Sequence, residues 1–303
     1  MRVEPLYLSP SRIADWERCR WSYLLKYVYR WREAATGNAL IFGGAIDEAV
    51  DAHLRGLLQG REVDPAEVFI AAFLQKADEG PVDYGAKWSE ESMLAMGIEL
   101  MKRWPDAWQA MGLTVACDAT GEPLMQREVA FALPGNVIVR GRIDLGVFTR
   151  EGDFAVVDSK TAAQPYPETA LVLNEQLTAY QVAMDIAAEQ WGLPKPERLG
   201  LIEMIKRQVP KRTGQGPTVE PLVLTARRSE QQVREYLQKI LWIAEDIRAQ
   251  RFTKSPRMAF ESPCAMCSMA RACTAGDYTD VDFSKARYVP AEALQACESP
   301  VAA

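Results

Sequence analysis

The chain has a single histidine, His53, among 303 residues, and its longest uncharged run, Ala34–Ile46, is only 13 residues. A bilayer span needs about 20, so no membrane-crossing segment is expected. The opening MRVEPLYLSPSR has no apolar signal-peptide region, and a cytoplasmic location is the expectation that follows. Positive charge is outnumbered, 35 Lys and Arg against 41 Asp and Glu. A net charge of −6 argues against wholesale coating of nucleic acid, so any grip on a polyanion must come from basic residues gathered locally. Neither an internal repeat nor a low-complexity tract interrupts the sequence. What is present, 48% hydrophobic and 25% charged residues, is the balance of a soluble globular protein with ample core.

The most informative stretch is VIVRGRIDLGVFTREGDFAVVDSKTA, which reads as two strands joined by a tight turn. Strand residues two apart share a face, so Asp158 and Lys160 point the same way and Ser159 points away. If Arg150, Glu151 and Gly152 form a three-residue loop with Gly152 left-handed, position 149 pairs with 153. Asp144 then stands opposite Asp158; a two-residue loop would separate them onto opposite faces. Two carboxylates and an ammonium on one face suit a hard divalent cation with a water beside it. A polar sheet face with a surface ion pair is the plainer alternative.

GRIDL followed by VVDSKTA resembles the core of the PD-(D/E)XK nuclease superfamily. Downstream, NEQLTAYQVAM is similar to the Gln-x-x-x-Tyr element of its RecB-like branch, with Gln176 and Tyr180 in the two positions. Upstream, LSPSRIADWERCRWSYLLKY resembles the opening helix of that branch, with Cys19 where its iron–sulfur members carry a ligand. The pattern is similar to the iron–sulfur AddB nuclease domain and to CRISPR-associated RecB-like exonucleases. It runs from about residue 8 to 275 and leaves residues 50–125 without a matching motif.

The cysteines extend the resemblance. Cys264-x2-Cys267-x5-Cys273 has metal-ligand spacing, and short loops let three thiolates converge. The resemblance implies that Cys19 completes a [4Fe–4S] cluster tying the chain ends together. A four-cysteine zinc site uses the same ligands, and unligated thiols are the third reading. Cys117 and Cys297 read as bystanders, small buried apolar residues.

The expected architecture is α/β: a mixed central sheet flanked by helices, with a helical insertion at about 64–112 and a Cys-rich C-terminal loop. One nuclease domain is expected over 1–275, followed by a loosely structured tail over 276–303. Helices are expected from Ser9 or Ser11 to about Trp31, after Gly43-Gly44, from Asp64-Pro65 to about Ala77, and from Ser89 to Met111 with a kink at Pro105. Others span about Glu168–Trp191 and Ser229–Gln250. Strands are expected at about 126–133, 136–149, 153–160, 198–208 and 218–224.

RecB-like members often carry a histidine three residues after a glycine, and here Asp47 stands there, three after Gly44. Six residues at about 100° each turn His53 about 240° away from Asp47 on a helix, so both cannot serve one site. Asp47 is therefore the third candidate ligand, with Glu48 a weaker one, and His53 reads as an ordinary polar or core-edge residue. Oxygen ligands point to Mg²⁺ or Mn²⁺.

The resemblance implies a DNA exonuclease acting on single-stranded ends in recombination, repair or end processing. Asp144 and Asp158 would hold the metal, Lys160 would position water, and Gln176 and Tyr180, on one helical face, would orient the group. Residues 195–228 hold eight Lys/Arg against three Glu. Lys206, Arg207, Lys211 and Arg212 are the candidate contacts to DNA backbone, with a solvated charged hairpin as the alternative. No Walker A loop is present, so unwinding would need a helicase or recombination partner. A non-cleaving DNA-binding protein, or a structural subunit of a helicase–nuclease or CRISPR adaptation complex, is the alternative function.

Overall fold

The computed structural model describes residues 4–209, 215–255 and 262–298. The chain runs β1 (Leu6–Leu8), α1 (Pro10–Arg18), α2 (Arg20–Tyr23), a π-helical turn (Leu24–Val28), β2 (Arg32–Glu33), β3 (Thr36–Gly37), α3 (Asn38–Leu58), α4 (Pro65–Asp78), β4 (Val82–Asp83) and α5 (Glu90–Met111). It continues through β5 (Thr114–Val115), β6 (Met125–Leu133), β7 (Val137–Phe148), β8 (Phe154–Ala162), α6 (Glu168–Leu173), α7 (Glu175–Trp191) and β9 (Arg198–Ile205). β10 (Thr218–Val219), β11 (Val223–Ala226), α8 (Glu230–Arg248), α9 (Ala270–Ala275), β12 (Val281–Asp282) and α10 (Ala291–Glu298) complete it.

The central sheet is mixed and eight-stranded, as expected of the fold class, with helices on both faces. Its spine is β7. β6 runs antiparallel along one edge of it; on the other, β1 pairs in parallel with Val137–Val139, and β8 pairs antiparallel with Leu145–Phe148. β8 pairs in parallel with β9, which also carries β10 and β11. One core packs α1, α7 and α8 against the sheet through Ile13, Trp16, Leu177, Met184, Ile240 and their neighbours. The other packs α3, α4 and α5 through Phe42, Ile46, Phe69, Phe73, Met96 and Trp104. Segment 64–112, expected as an insertion, thus supplies two of three helices covering that face.

Strict alternation fails at one place. Val137, Val139 and Ile143 of β7 face the first core, whereas Leu145 and Val147, of the same parity, face the second. In β6, Val129 and Phe131 face the first core and Met125 the second. Between these switches stand Asp144 and, opposite it in the β6–β7 register, Gln126, whose φ is +49°. A bulky residue rarely adopts this left-handed backbone, and it breaks the ladder as a bulge does.

Several expected elements differ, among them the strand at 218–224, which is split into β10 and β11. The first helix does not reach Trp31: Cys19 is extended, at φ −163° and ψ 112°, and separates α1 from α2. The Glu168–Trp191 helix breaks at Asn174, whose side chain accepts from the Leu177 N–H at 3.1 Å and caps α7. Such side-chain caps compete with continuation of the preceding helix. The tail is not loose over 276–298. β12 pairs with β2, and Trp31 packs edge-on to Tyr278 and Phe283 while its Nε1 donates to Tyr288 O at 2.8 Å. The aromatic residues of the tail find an apolar partner that its acidic composition concealed. α3 also begins earlier than expected, at Asn38, with Gly43 and Gly44 inside it. A Cβ on Gly44 would stand 3.2 Å from Lys76 Cε, so the glycine admits the Lys76 side chain.

Candidate active site

The β7–β8 hairpin has the register required of a three-residue loop. Thr149 N–H donates to Asp153 O at 2.9 Å, Gly152 has φ +94°, and Phe148↔Phe154 through Leu145↔Val157 pair across the strands. The next pair in that register is Asp144 and Asp158, where β7 and β8 part. Freed from the ladder there, the Ser159 N–H donates instead to Asp144 Oδ2 at 3.0 Å.

Asp158 is completely buried. Lys160 Nζ donates to its Oδ1 at 3.1 Å, and Gln176 Nε2 donates to the same oxygen at 2.8 Å. Gln176 Nε2 also donates to Tyr180 Oη at 2.5 Å, so the first turn of α7 holds the carboxylate from above. Lys160 Nζ lies 2.9 Å from Oδ2 but without hydrogen-bond geometry, which leaves Oδ2 a buried, unfilled acceptor. Gly141 makes room for this arrangement: a Cβ there would meet Tyr180 Cε1 at 3.4 Å.

Charge is crowded accordingly. Burial first, then the Asp144 carboxylate, push Asp158 far above the usual carboxylate range against the pull of Lys160. Burial alone would depress Lys160, but Asp158, Asp144 and Asp47 together outweigh it and keep the ammonium protonated. Tyr180 is raised by burial and by Asp144, so its hydroxyl stays neutral. Asp47 keeps an exposed edge, yet its carboxyl is sheltered within the cleft; that desolvation, then Asp144, lifts it to about 7.

Asp47 reaches the site from α3, on the opposite side of the sheet from Gln176. Asp144 can be approached from both sides because it lies where β7 switches faces. Three carboxylates against one ammonium, with one buried oxygen unfilled, fit a hard divalent cation. Among the described residues, however, no group of three or more His, Cys, Asp or Glu side chains is placed so as to hold a metal ion, so Asp47, Asp144 and Asp158 would have to draw together to bind one. Glu48 is engaged elsewhere, 2.6 Å from Lys76 Nζ. His53 is buried with Nδ1 3.2 Å from Val63 O. Asp47→Ala is therefore expected to weaken Mn²⁺ binding at least tenfold, and His53→Ala to leave it within about twofold. Titration calorimetry compares them, and the reverse order would remove Asp47 from the site.

The crowding also sets a pH dependence. Asp47 is raised from 3.8 to about 7 in the folded chain, so between those values the native state binds more protons than the unfolded one. The Asp47 contribution to the stability of the metal-free protein should fall as pH rises through this window, and Asp158, raised further still, extends the decline above it. Thermal melts of wild type and Asp47→Asn in EDTA test this, the variant showing the shallower decline. Saturating Mg²⁺, binding the ionised carboxylates, should flatten the wild-type curve.

Sequence reasoning missed Arg228. It is buried; its Nη2 donates to Leu171 O at 2.7 Å and to Asn174 O at 3.4 Å, and its Nε to Thr178 Oγ1 at 3.3 Å. Gln181 holds its backbone through Arg228 O at 3.1 Å and Arg228 N at 2.6 Å. The guanidinium satisfies the carbonyls exposed at the α6–α7 break and so fixes where α7, and Gln176 with it, begins. Nothing local in the sequence pairs position 228 with 171–181.

The basic loop is seen only in part. Lys206 Nζ lies 5.9 Å from the Phe42 ring centre, and burial followed by the Lys87 charge depresses its pKa. Arg207 is half-buried. Lys211 and Arg212 lie outside the described residues.

The four cysteines come together at the other end of the chain fold. Cys19, Cys264, Cys267 and Cys273 line one pocket beside Trp21, Leu25 and Met269. Cys19 enters it from the extended break between α1 and α2. Cys264 and Cys267 flank the 3₁₀ turn Pro263–Met266, and Cys273 lies on α9. Burial raises the Cys273 thiol, opposed by Lys254, whose Nζ donates to Cys273 O at 2.9 Å. Among the described residues these thiols do not form a group placed to hold a metal ion.

Compared with known families, residues 7–274 match the PD-(D/E)XK nuclease superfamily. The chain belongs to that superfamily. No curated protein matches the chain. Among solved structures it is similar to one described as the crystal structure of SSO0001, at 14% identity and a TM-score of 0.35, over 88% of this chain and 95% of that one. The superfamily match supports nuclease activity, for which Mg²⁺ or Mn²⁺ is the usual metal. No described helix is long and apolar enough to cross a membrane.

Proposed function

We propose that the chain is a metal-dependent deoxyribonuclease, an exonuclease of the RecB-like branch that trims single-stranded DNA ends in recombination, repair or end processing. The observation that carries the reading is the meeting of Asp144, Asp158 and Lys160 around an unfilled, buried Asp158 oxygen. Asp144 and Asp158, with Asp47 from α3, would hold Mg²⁺ or Mn²⁺, which when bound supplies Lewis acidity toward the scissile phosphate and an activated water. Lys160, kept protonated by its carboxylate neighbours, orients that water and offsets negative charge developing on the phosphate. Gln176 fixes the rotamer of Asp158, and Tyr180 fixes Gln176.

A cleft of about 720 Å³ opens beside Asp144, lined by Ser9, Arg142, Leu173, Asn174, Gln176 and Tyr180 among others. Arg142 offers a phosphate contact. Leu173, 75% exposed, offers an apolar surface at the mouth of the cleft. The four cysteines are read as ligands of a structural [4Fe–4S] cluster, with zinc as the alternative occupant of the same donors. Labelled single- and double-stranded DNA incubated with Mg²⁺, Mn²⁺ or EDTA tests the reading. Metal-dependent release of nucleotides from single-stranded ends is the expected result. No cleavage by metal-loaded protein that still binds DNA would favour a non-cleaving subunit of a helicase–nuclease or CRISPR adaptation complex.

A further inference from the structure

Beside Asp47 and Asp144, on the side of the helical layer, lies a small pocket whose deeper polar groups, Asp51 and Trp104, the chemistry above does not use. About 20 Å³ of it is open to the centre of a water molecule, where about 10–15 Å³ suffices for one. Asp47, Asp51, Trp104, Gln126, Asp144 and Ser159 supply its polar groups, and the remaining wall is largely apolar. Two of these side chains carry a buried atom with no hydrogen-bond partner, Asp51 Oδ1 and Trp104 Nε1. Trp104 is 1% exposed, and its indole N–H can only donate. The other oxygen of Asp51 already accepts from Arg55 Nε at 2.8 Å. A cation would face the positive end of the indole N–H, and an apolar filler would leave both atoms unsatisfied. A water accepts from one and donates to the other, with a second hydrogen left over.

We propose that this pocket holds one structural water, accepting from Trp104 Nε1 and donating to Asp51 Oδ1 and to one of the two cleft carboxylates, Asp47 or Asp144. The water ties α5, which carries Trp104, to α3 and β7, which carry the carboxylates. Trp104 and Asp51 are then positioning residues for the metal site, a role that rests on the metal-dependent reading above. Asp51 lies one helical turn after Asp47, so the two share a face of α3. Gln126 bounds the same pocket at the left-handed break opposite Asp144, where the sheet is locally open.

The test joins a crystal structure of the full chain without metal to Mn²⁺ affinity measured by electron paramagnetic resonance. Expected is ordered density within hydrogen-bond reach of both Trp104 Nε1 and Asp51 Oδ1. Trp104→Phe, which keeps a ring and removes the N–H, should lose that density and weaken Mn²⁺ binding about tenfold. Trp108→Phe alters the ring 5.6 Å from Trp104 outside the pocket lining and should leave Mn²⁺ affinity unchanged. A dry pocket in the wild-type crystal, or equal loss of affinity in the two variants, would overturn the proposal. Should wild type bind no Mn²⁺, the nuclease reading and the positioning role fail together, while the wild-type density still decides the water. If Trp104→Phe does not fold, Asp51→Ala, which removes the acceptor, takes its place in the affinity comparison, with the same outcomes.

Discussion

Lys160→Ala is expected to lower Mg²⁺- or Mn²⁺-dependent DNA cleavage by on the order of 10³-fold, the scale on which a charged transition-state donor acts in a sheltered site, and to leave the fold intact. The Lys160 side chain is 34% exposed and makes its ion pair with Asp158; removing it opens no hydrophobic core. The substitution strands Asp158 without its ammonium, but that carboxyl is already pushed upward by burial and by Asp144, so it can take up a proton instead of staying charged. Asp158→Asn carries the argument further. It removes a carboxylate whose ionisation the folded chain opposes, so its metal-free melting temperature at pH 8 should equal or exceed that of wild type while cleavage is lost. Stability and activity moving in opposite directions would mark a group held at a cost for chemistry. Single-turnover assays on labelled single-stranded DNA, paired with thermal melts in EDTA, measure both. Undiminished cutting by purified Lys160→Ala would refute the assignment.

The parts of this site that were legible in the sequence are those fixed over short range. A three-residue loop with Gly152 left-handed determines the β7–β8 register, and the register sets Asp144 opposite Asp158. Helical spacing alone placed Gln176 and Tyr180 on one face and turned His53 away from Asp47. Period-two alternation gave no warning that β7 changes faces at Asp144. That switch depends on a left-handed Gln126 in a neighbouring strand, and nothing in the residue type announces it, since glutamine is not a residue that favours this region. Arg228 was equally silent, because its acceptors at 171 and 174 lie more than 50 positions away and exist only once α6 has ended. The long helices expected from Ser9 or Ser11 and from Glu168 failed at Cys19 and Asn174. In both places the apolar spacing continues through the break, and local capping or the pull of a distant pocket wins over periodicity. Both breaks serve a site: one delivers a thiol to the cysteine pocket, the other starts α7 where Gln176 meets Asp158.

Replacing any one of Cys19, Cys264, Cys267 or Cys273 is expected to lower the melting temperature by more than about 10 °C. Joining Cys19 to the C-terminal trio closes a loop of more than 240 residues, which removes on the order of 5 kcal/mol of unfolded-chain freedom when a crosslink estimate is applied to the cluster. In a chain of this size each kcal/mol shifts the midpoint by roughly 2–4 °C. The surroundings of the pocket bear on how the loss would appear. Leu25, Trp31, Met269 and Ala272 form a small core of their own beside it, and β12 pairs with β2, so the two ends of the chain retain some contact without the staple. The expected phenotype is therefore a frayed N- and C-terminal layer rather than complete unfolding. Cleavage would fall with it, because α1 packs on α7 through the first core and α7 carries Gln176. Cys117→Ser, at an isolated bridge with Pro123, should change the melting temperature little. Protein prepared without oxygen should be brown and contain about four irons per chain. A colourless preparation with one tightly held zinc would overturn the cluster and leave the staple standing, whereas four single variants as stable as wild type would overturn both.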